Sequence, residues 1–287
     1  MANKLKVIFF GTPQFVVPIL EAIAKTHEII AVVTTPDQKV GRKQMLTASP
    51  VKTYALEHNI PVIQPEKLSE AIPHLSHLTS HLYVVAAYGK IIPKDILELP
   101  QYGAINIHPS LLPEYRGPTP IQTAVRDGKS ETGISIMKMD EKMDHGPLLT
   151  TIPYPISEED TSASLLDAVF AKSAEILPQV IEDYVSGEMQ PKPQDDTKAT
   201  YTKILAKEDG YIDIQTPPDT TVFDCMVRAY YPWPNVWTKV NIKDHVVRIK
   251  FLPRKIIQME GKQPVSLKDF TNGYPELKES ISKLFGS

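Results

Sequence analysis

Lys6-Val7-Ile8-Phe9-Phe10-Gly11-Thr12-Pro13 decides the fold class. Val7 to Phe10 are apolar without alternation, the pattern of a strand buried on both faces. Gly11-Thr12-Pro13 turns the chain tightly, and Pro13 is placed as a first-turn helix residue. Phe15, Ile19, Leu20 and Ile23 then recur at helical spacing. The same unit returns along the first half of the chain. Strands are expected at Glu28–Thr35, Pro61–Ile63, Leu82–Ala86, Gly103–His108 and Thr132–Met137, with a helix from Ser49 to His58 that has Pro50 near its start. Nearly all-apolar strands separated by helices predict a parallel sheet covered on both faces, a doubly wound, Rossmann-like α/β domain.

A long helical pattern follows from Asp160 to Val185, carried by Leu165, Leu166, Val169, Phe170, Leu177, Ile181 and Tyr184. Pro178 is expected to kink or split it, and Gly187 offers a stop. The polar, Pro-interrupted stretch from Gln190 to Thr200 reads as a domain linker. The expected division is a first domain over 1–189, a linker over 190–205 and a second domain over 206–287. In the second, Asn235–Asn241 and His245–Leu252 alternate apolar and polar residues between turn signals, which predicts a small β-barrel. Residues 201–287 carry 13 Lys+Arg against 10 Asp+Glu, whereas the whole chain is at −3. That asymmetry has the sign expected of a module that touches nucleic acid.

Composition narrows the class. A chain of 287 residues with 42% hydrophobic and 23% charged residues can bury a sizeable core and is not disordered. Its 26 prolines sit beside strands and turns, so they imply shaped loops rather than one Pro-rich linker. The net charge excludes polyanion binding by bulk electrostatics, and any nucleic-acid contact must come from local patches. The VIFF run is too short for a signal segment or a membrane span. Cys225 is the single cysteine, which excludes an intrachain disulfide and a CxxC metal knuckle, fits a cytoplasmic setting, and reads as a small core residue in a helix. The eight histidines are scattered without ligand spacing, so no metal is expected. The absence of a GxGxxG fingerprint disfavours a nicotinamide enzyme.

The densest polar signal is Asn106-Ile-His108-Pro-Ser-Leu-Leu-Pro-Glu-Tyr-Arg-Gly117. Asn106 and His108 are two apart on a strand and share a face. They stand at the strand's C-terminal end, where open α/β sheets place their sites. An amide and an imidazole there can hold the oxygen of a tetrahedral acyl intermediate and move a proton; equally, both can simply bond the following loop. A second polar turn, Asp140-Glu-Lys-Met-Asp144-His145-Gly146-Pro147, holds several acids. One of them brought near His108 could assist proton movement. Spacing alone does not say which, and a solvated acidic turn is the plainer reading.

These residues give the chain its resemblance. Asn-x-His followed by Ser110-Leu111-Leu112-Pro113, an aromatic Tyr115 and Arg116-Gly117, with Asp144 one strand later, resembles the signature of the folate-dependent formyltransferases. The resemblance implies Asn106, His108 and Asp144 as the catalytic trio. It implies Ser110, Leu111, Leu112 and Pro113 as part of a folate site, with Val85, Ala86, Ala87, Tyr88 and Gly89 lining its pterin pocket. Within that family the chain is most similar to the branch whose acceptor is methionyl-tRNA. Phe9 to Phe15 resembles that branch's first strand and turn. Thr35 to Lys52 resembles its basic loop, with Lys39, Arg42, Lys43 and Lys52 available for tRNA phosphates; without the resemblance this is a solvated surface hairpin. Arg228 to Trp237 resembles a C-terminal block whose two tryptophans and two prolines read as a rigid aromatic corner, and Glu260 to Tyr274 resembles the family's end.

The implied reaction moves a formyl group from 10-formyltetrahydrofolate to the α-amine of initiator methionyl-tRNA, on a monomer away from membranes, with the second domain OB-like and tRNA-binding. Departures from the pattern are Glu114, Pro118-Thr119, Lys142-Met143, His145 and Pro147. Three alternatives stay open at this point. A formyltransferase of nucleotide-sugar amines shares the trio, which therefore cannot decide; the basic loop and the Tyr-Pro-Trp-Pro block favour tRNA. A formyltetrahydrofolate hydrolase leaves the second domain without a role. A catalytically silent RNA-binding protein has no use for an intact trio.

Overall fold

The computed structural model describes residues 4–41, 44–242 and 245–286; Arg42 and Lys43 of the basic loop lie outside the described residues. β1 (Lys6–Gly11) leads through a 3-10 turn at Gln14–Val16 into α1 (Val17–Thr26). Pro13 therefore precedes the short turn, and Pro18 takes the first-turn position of the α-helix. Next come β2 (Glu28–Val33), a hairpin of β3 (Gln38–Val40) and β4 (Met45–Thr47), α2 (Pro50–Glu57) and β5 (Val62–Ile63). Ser49 caps α2, its hydroxyl accepting from the Lys52 N–H at 3.1 Å, and Pro50 follows where a missing N–H costs nothing. The chain continues through α3 (Ile72–His77), β6 (Leu82–Ala86), α4 (Lys94–Leu97), β7 (Ala104–His108), α5 (Pro120–Arg126), β8 (Glu131–Lys138), β9 (Leu148–Pro155) and α6 (Ser162–Ser186).

These strands make one seven-stranded sheet in the order β5-β2-β1-β6-β7-β8-β9. The first five pair in parallel, but β8 runs antiparallel to β7. The sheet is mixed, which corrects the all-parallel expectation. An unbroken apolar run reports burial on both faces, and β8 is buried from Thr132 to Met137; it carries no information on strand direction. β9, not foreseen from the sequence, is an edge strand with alternating exposure and prolines at 153 and 155. α6 runs unsplit through Pro178. The proline removes one helical hydrogen bond, while Leu177, Val180 and Ile181 on either side of it are buried and hold the helix in place. Gly187 ends it at φ 83°, as its stop signal predicts.

Side chains alternate across the sheet. Ile8, Phe10, Tyr83, Val85 and Ala104 join one buried cluster with Leu75, Tyr88 and Ile96. Phe10 lies edge-on to Tyr88 with ring centroids 5.5 Å apart. The hydroxyls of Tyr83 and Tyr88 are buried with no hydrogen-bond partner in full bonding geometry among the described residues, and burial, opposed at Tyr83 by Ser80, pushes both phenols up to about 12. Folding thus favours their neutral form. In an ultraviolet pH titration these two tyrosines are expected to ionise about two units after exposed ones, and their contribution to stability, complete below pH ~10, is lost as pH rises toward ~12. Ionisation of all tyrosines in one step near pH 10 by a still-folded protein would contradict this burial.

The chain forms two compact units. The first comprises the residues up to Pro118, Gly133–Tyr154 and Leu166–Tyr201; the second comprises Thr119–Thr132, Pro155–Leu165 and the chain from Thr202 onward. In the second unit α5 packs on α7 (Thr220–Ala229). An antiparallel sheet follows in the order β10 (Val236–Ile242), β11 (His245–Leu252), β12 (Ile256–Met259), β13 (Val265–Ser266), and then α8 (Leu267–Gly273) and α9 (Lys278–Leu284). Phe223 of α7 meets Phe251 at 5.3 Å and Phe285 at 5.2 Å, both edge-on, closing the core. Cys225 is buried there. The aromatic corner splits in two: Trp237 is buried with its Nε1–H donating to the Lys207 carbonyl at 2.9 Å, while Trp233 is 56% exposed.

Candidate active site

β7 carries Asn106 and His108 on one face, in register with Val85 of β6 and with Met137 and Ser135 of β8. Both are buried. The His108 Nε2 lies 2.9 Å from the Tyr115 carbonyl. A carbonyl only accepts, so this nitrogen carries the hydrogen of that bond. Nδ1 faces the Asp144 carboxylate, 3.6 Å from Oδ1. The other carboxylate oxygen, Oδ2, accepts from the Gly117 N–H at 2.7 Å. The structure therefore picks Asp144 out of its acidic turn and brings it to the strand pair. Asp140 instead accepts from the Lys142 N–H and pairs with His145 Nδ1 at 2.6 Å.

Asp144 is held in a left-handed conformation, φ 49°, uncommon for a residue with a Cβ. Its neighbours fix that backbone. Gln194, beyond α6, donates through Nε2 to the carbonyls of Asp144 at 2.9 Å and Gly146 at 2.8 Å. The Gln194 Oε1 accepts from Arg116, at 2.8 Å from Nη2 and 3.2 Å from Nε. Arg116 is 1% exposed. It also donates to Asp196 at 2.7 Å and to the Tyr201 hydroxyl at 3.3 Å. Asp196 bonds His145 Nε2 in turn at 3.2 Å. The Arg116 hydrogen bond holds the Asp196 carboxyl below its ordinary range, with His145 adding to the effect. Sequence reading finds Arg116 only as part of a motif and misses Gln194, Asp196 and Tyr201. They lie some eighty residues from Arg116 in sequence, and a polar stretch after a helix reads as linker.

The segments expected to line a folate site meet the C-terminal ends of the central strands. After β6, Ala87 and Gly89 take positive φ angles of 44° and 84°, and both are exposed. The Tyr88 carbonyl accepts from the Thr12 hydroxyl at 3.2 Å, so the turns after β1 and β6 touch. β1 has β2 on one side and β6 on the other, which makes this the topological switch point where α/β sheets open a crevice. The Ser110 to Pro113 loop is pinned rather than free. The Ser110 hydroxyl donates to the Glu114 carbonyl, Ser135 Oγ donates to the Ser110 carbonyl, and the Leu112 N–H donates to Ser135 Oγ. Leu111 fills the space above Gly133, where a Cβ would lie 2.2 Å from its Cδ2.

Of the residues expected to meet tRNA, Lys39 is exposed on β3. Val40, Met45 and Leu46 of the same hairpin are more than half exposed. Lys52 sits at the base of the loop, where Nζ bonds both Asp37 carboxylate oxygens at 2.9 and 2.8 Å. Gln64 and then Lys52 hold the Asp37 carboxyl below its ordinary value. In the second unit, Lys239 stands opposite Arg248 and Trp237 opposite Lys250; Arg248 is paired with Glu260 at 2.6 Å, so the positive charge of that face of β10-β11 comes from Lys239 and Lys250. Lys207 and Arg248 lie 5.4 and 5.8 Å from the Trp237 ring centroid.

A family model described as formyl transferase matches residues 4–181. Methionyl-tRNA formyltransferase of Listeria monocytogenes serovar 1/2a is 45% identical over 240 residues, 83% of this chain and 76% of the relative. That of Chloroflexus aurantiacus is 45% identical over 237 residues, 82% and 76% of the two chains. Among solved structures, a 4-N formyltransferase from Francisella tularensis superposes with TM-score 0.68 at 18% identity over 88% of this chain and 99% of its own. A sugar N-formyltransferase from Shewanella sp. gives 0.65 at 20% identity over 87% and 98%. At such identities the two structures share the fold. With the sequence match running through both the sheet and the His108–Asp144 pair, the chain belongs to the methionyl-tRNA formyltransferase family.

Proposed function

We propose that the protein transfers the formyl group of 10-formyltetrahydrofolate to the α-amine of initiator methionyl-tRNA, the reaction implied by its sequence resemblance. The observation that carries this reading is the buried His108 with Asp144 at 3.6 Å, beside an amide on the same strand face. Asn106 and His108 stabilise the oxygen of the formyl group as the amine attacks its carbon. His108 does so by exchanging its bond to the Tyr115 carbonyl for one to that oxygen. Asp144 accepts the proton that the amine loses as the new C–N bond forms, and returns it to the folate nitrogen as the old C–N bond breaks. Folate occupies the crevice between the turns after β1 and β6 and the Ser110–Pro113 loop.

For tRNA, the support is local positive charge on a chain of net −3. The β3-β4 hairpin offers Lys39, and we include Arg42, Lys43 and Lys52 with it. The face of β10-β11 adds Lys239 and Lys250, and we assign the second unit, as an OB-like module, to tRNA binding. The domain division proposed remains 1–189, 190–205 and 206–287. A monomer in the cytoplasm fits this role; no helix among the described residues is long and apolar enough to cross a membrane.

The test is formylation of charged initiator tRNA by the purified protein with 10-formyltetrahydrofolate, beside a nucleotide-sugar amine and water as acceptors. Formyl-methionyl-tRNA is the expected product, and exclusive turnover of either alternative acceptor overturns the tRNA assignment. Lys39→Ala is expected to weaken tRNA binding and to lower the slope of log K against log salt by about one phosphate contact. Unchanged affinity and slope would remove Lys39 from the interface.

A further inference from the structure

We infer that Gln194 is a positioning residue for formyl transfer: its side-chain amide holds Asp144 in the backbone conformation that aims the carboxylate at His108. This rests on the assignment of Asp144 proposed above. Asp144 pairs a strained φ with two constraints on where its carboxylate goes, the Gly117 N–H on Oδ2 and His108 beyond Oδ1. Gln194 meets both sides of that arrangement. Its amide nitrogen donates to the carbonyl of Asp144 itself and to that of Gly146. Its amide oxygen accepts from Arg116, the residue directly before Gly117. Both amide hydrogens and the oxygen are therefore used, and one side chain ties the loop that bears the acid to the loop that anchors the acid.

The charged groups around it do a different job. The Asp196 carboxylate accepts from Arg116 and bonds His145, but among the described residues it makes no hydrogen bond to the Asp144 backbone. Among the described residues, Gln194 is the side chain that donates to the two carbonyls that flank His145. A carbonyl left free can turn toward solvent and relax the strained φ, which swings the carboxylate away from Nδ1. Displacement of a reacting group by about an ångström costs on the order of 10²-fold in rate.

Gln194→Glu isolates the donor function. The carboxylate still accepts from Arg116, so the segment stays attached, but nothing is donated to the Asp144 and Gly146 carbonyls. We expect kcat to fall about 10- to 100-fold, with KM for both substrates within about twofold. In the Asp144→Ala background the same change should have little further effect, because Gln194 acts through that acid. Wild-type kcat in Gln194→Glu, or a loss fully retained in the Asp144→Ala background, overturns the inference. A melting curve accompanies each variant. If Gln194→Glu is unfolded, Gln194→Met, which keeps the length and removes all polarity, takes its place under the same criteria. If Asp144→Ala is itself as active as wild type, the assignment of the acid fails; if Asp144→Ala loses activity but the Gln194 variants keep wild-type kcat, this inference alone fails.

Discussion

Asp144→Asn is expected to lower kcat for formyl transfer by about 10²- to 10⁴-fold, the usual contribution of a positioned acid–base group. Asparagine preserves size, and its oxygen can still accept from the Gly117 N–H, so the loop has no reason to move. What disappears is the negative charge 3.6 Å from His108 Nδ1 and the site that takes the proton. His108→Ala should cost a comparable factor, and the double variant little more than either alone, since the two act as one unit. Steady-state kinetics on the three variants decide it. A kcat for Asp144→Asn within twofold of wild type would falsify a proton-accepting role for this carboxylate.

Gly146→Ala is expected to damage both the fold and the reaction. A Cβ at 146 would lie 1.8 Å from the Lys138 carbonyl oxygen and 3.0 Å from its carbon, both backbone atoms that cannot swing aside. Relief requires the 144–147 turn to lift from the end of β8, at a cost of about 3 kcal/mol. The lift carries Asp144 with it, so activity should drop by about 10²-fold even in the folded fraction. For the melting temperature alone, Gly89→Ala is the control. Its φ is 84°, but nothing lies within 4 Å of the added carbon, and the expected cost is the backbone term of about 1–2 kcal/mol. Equal melting temperatures for Gly146→Ala and wild type would show that the turn has slack.

The strands around the site were legible because two-face burial leaves continuous apolar runs, and the Asn106/His108 pair because a period of two puts both on one face. The direction of β8 was not, since burial is blind to it. β9 escaped because an edge strand carrying prolines reads as a loop. Choosing Asp144 over Asp140 needed the family resemblance, and the geometry that separates them is a φ angle and one N–H from Gly117, neither of which has a sequence signature. Gln194 and Asp196 were hidden for a general reason. Hydrogen-bonded polar side chains look the same in sequence as solvated ones, and their partners are distant along the chain.

The almost fully buried guanidinium of Arg116 also sets an order of assembly. Its acceptors arrive some eighty residues later, at Gln194, Asp196 and Tyr201. A nascent chain that has emerged only to the end of α6 contains the whole seven-stranded sheet, yet it carries a cation with none of these acceptors. The catalytic half is therefore finished by the segment that follows its last helix, with the 3-10 turn at Asp196–Lys198, rather than by that helix. A fragment cut at the helix end should bind Arg116 to water and leave the acid loop unlatched, whereas one extended past Tyr201 keeps the latch in a single piece.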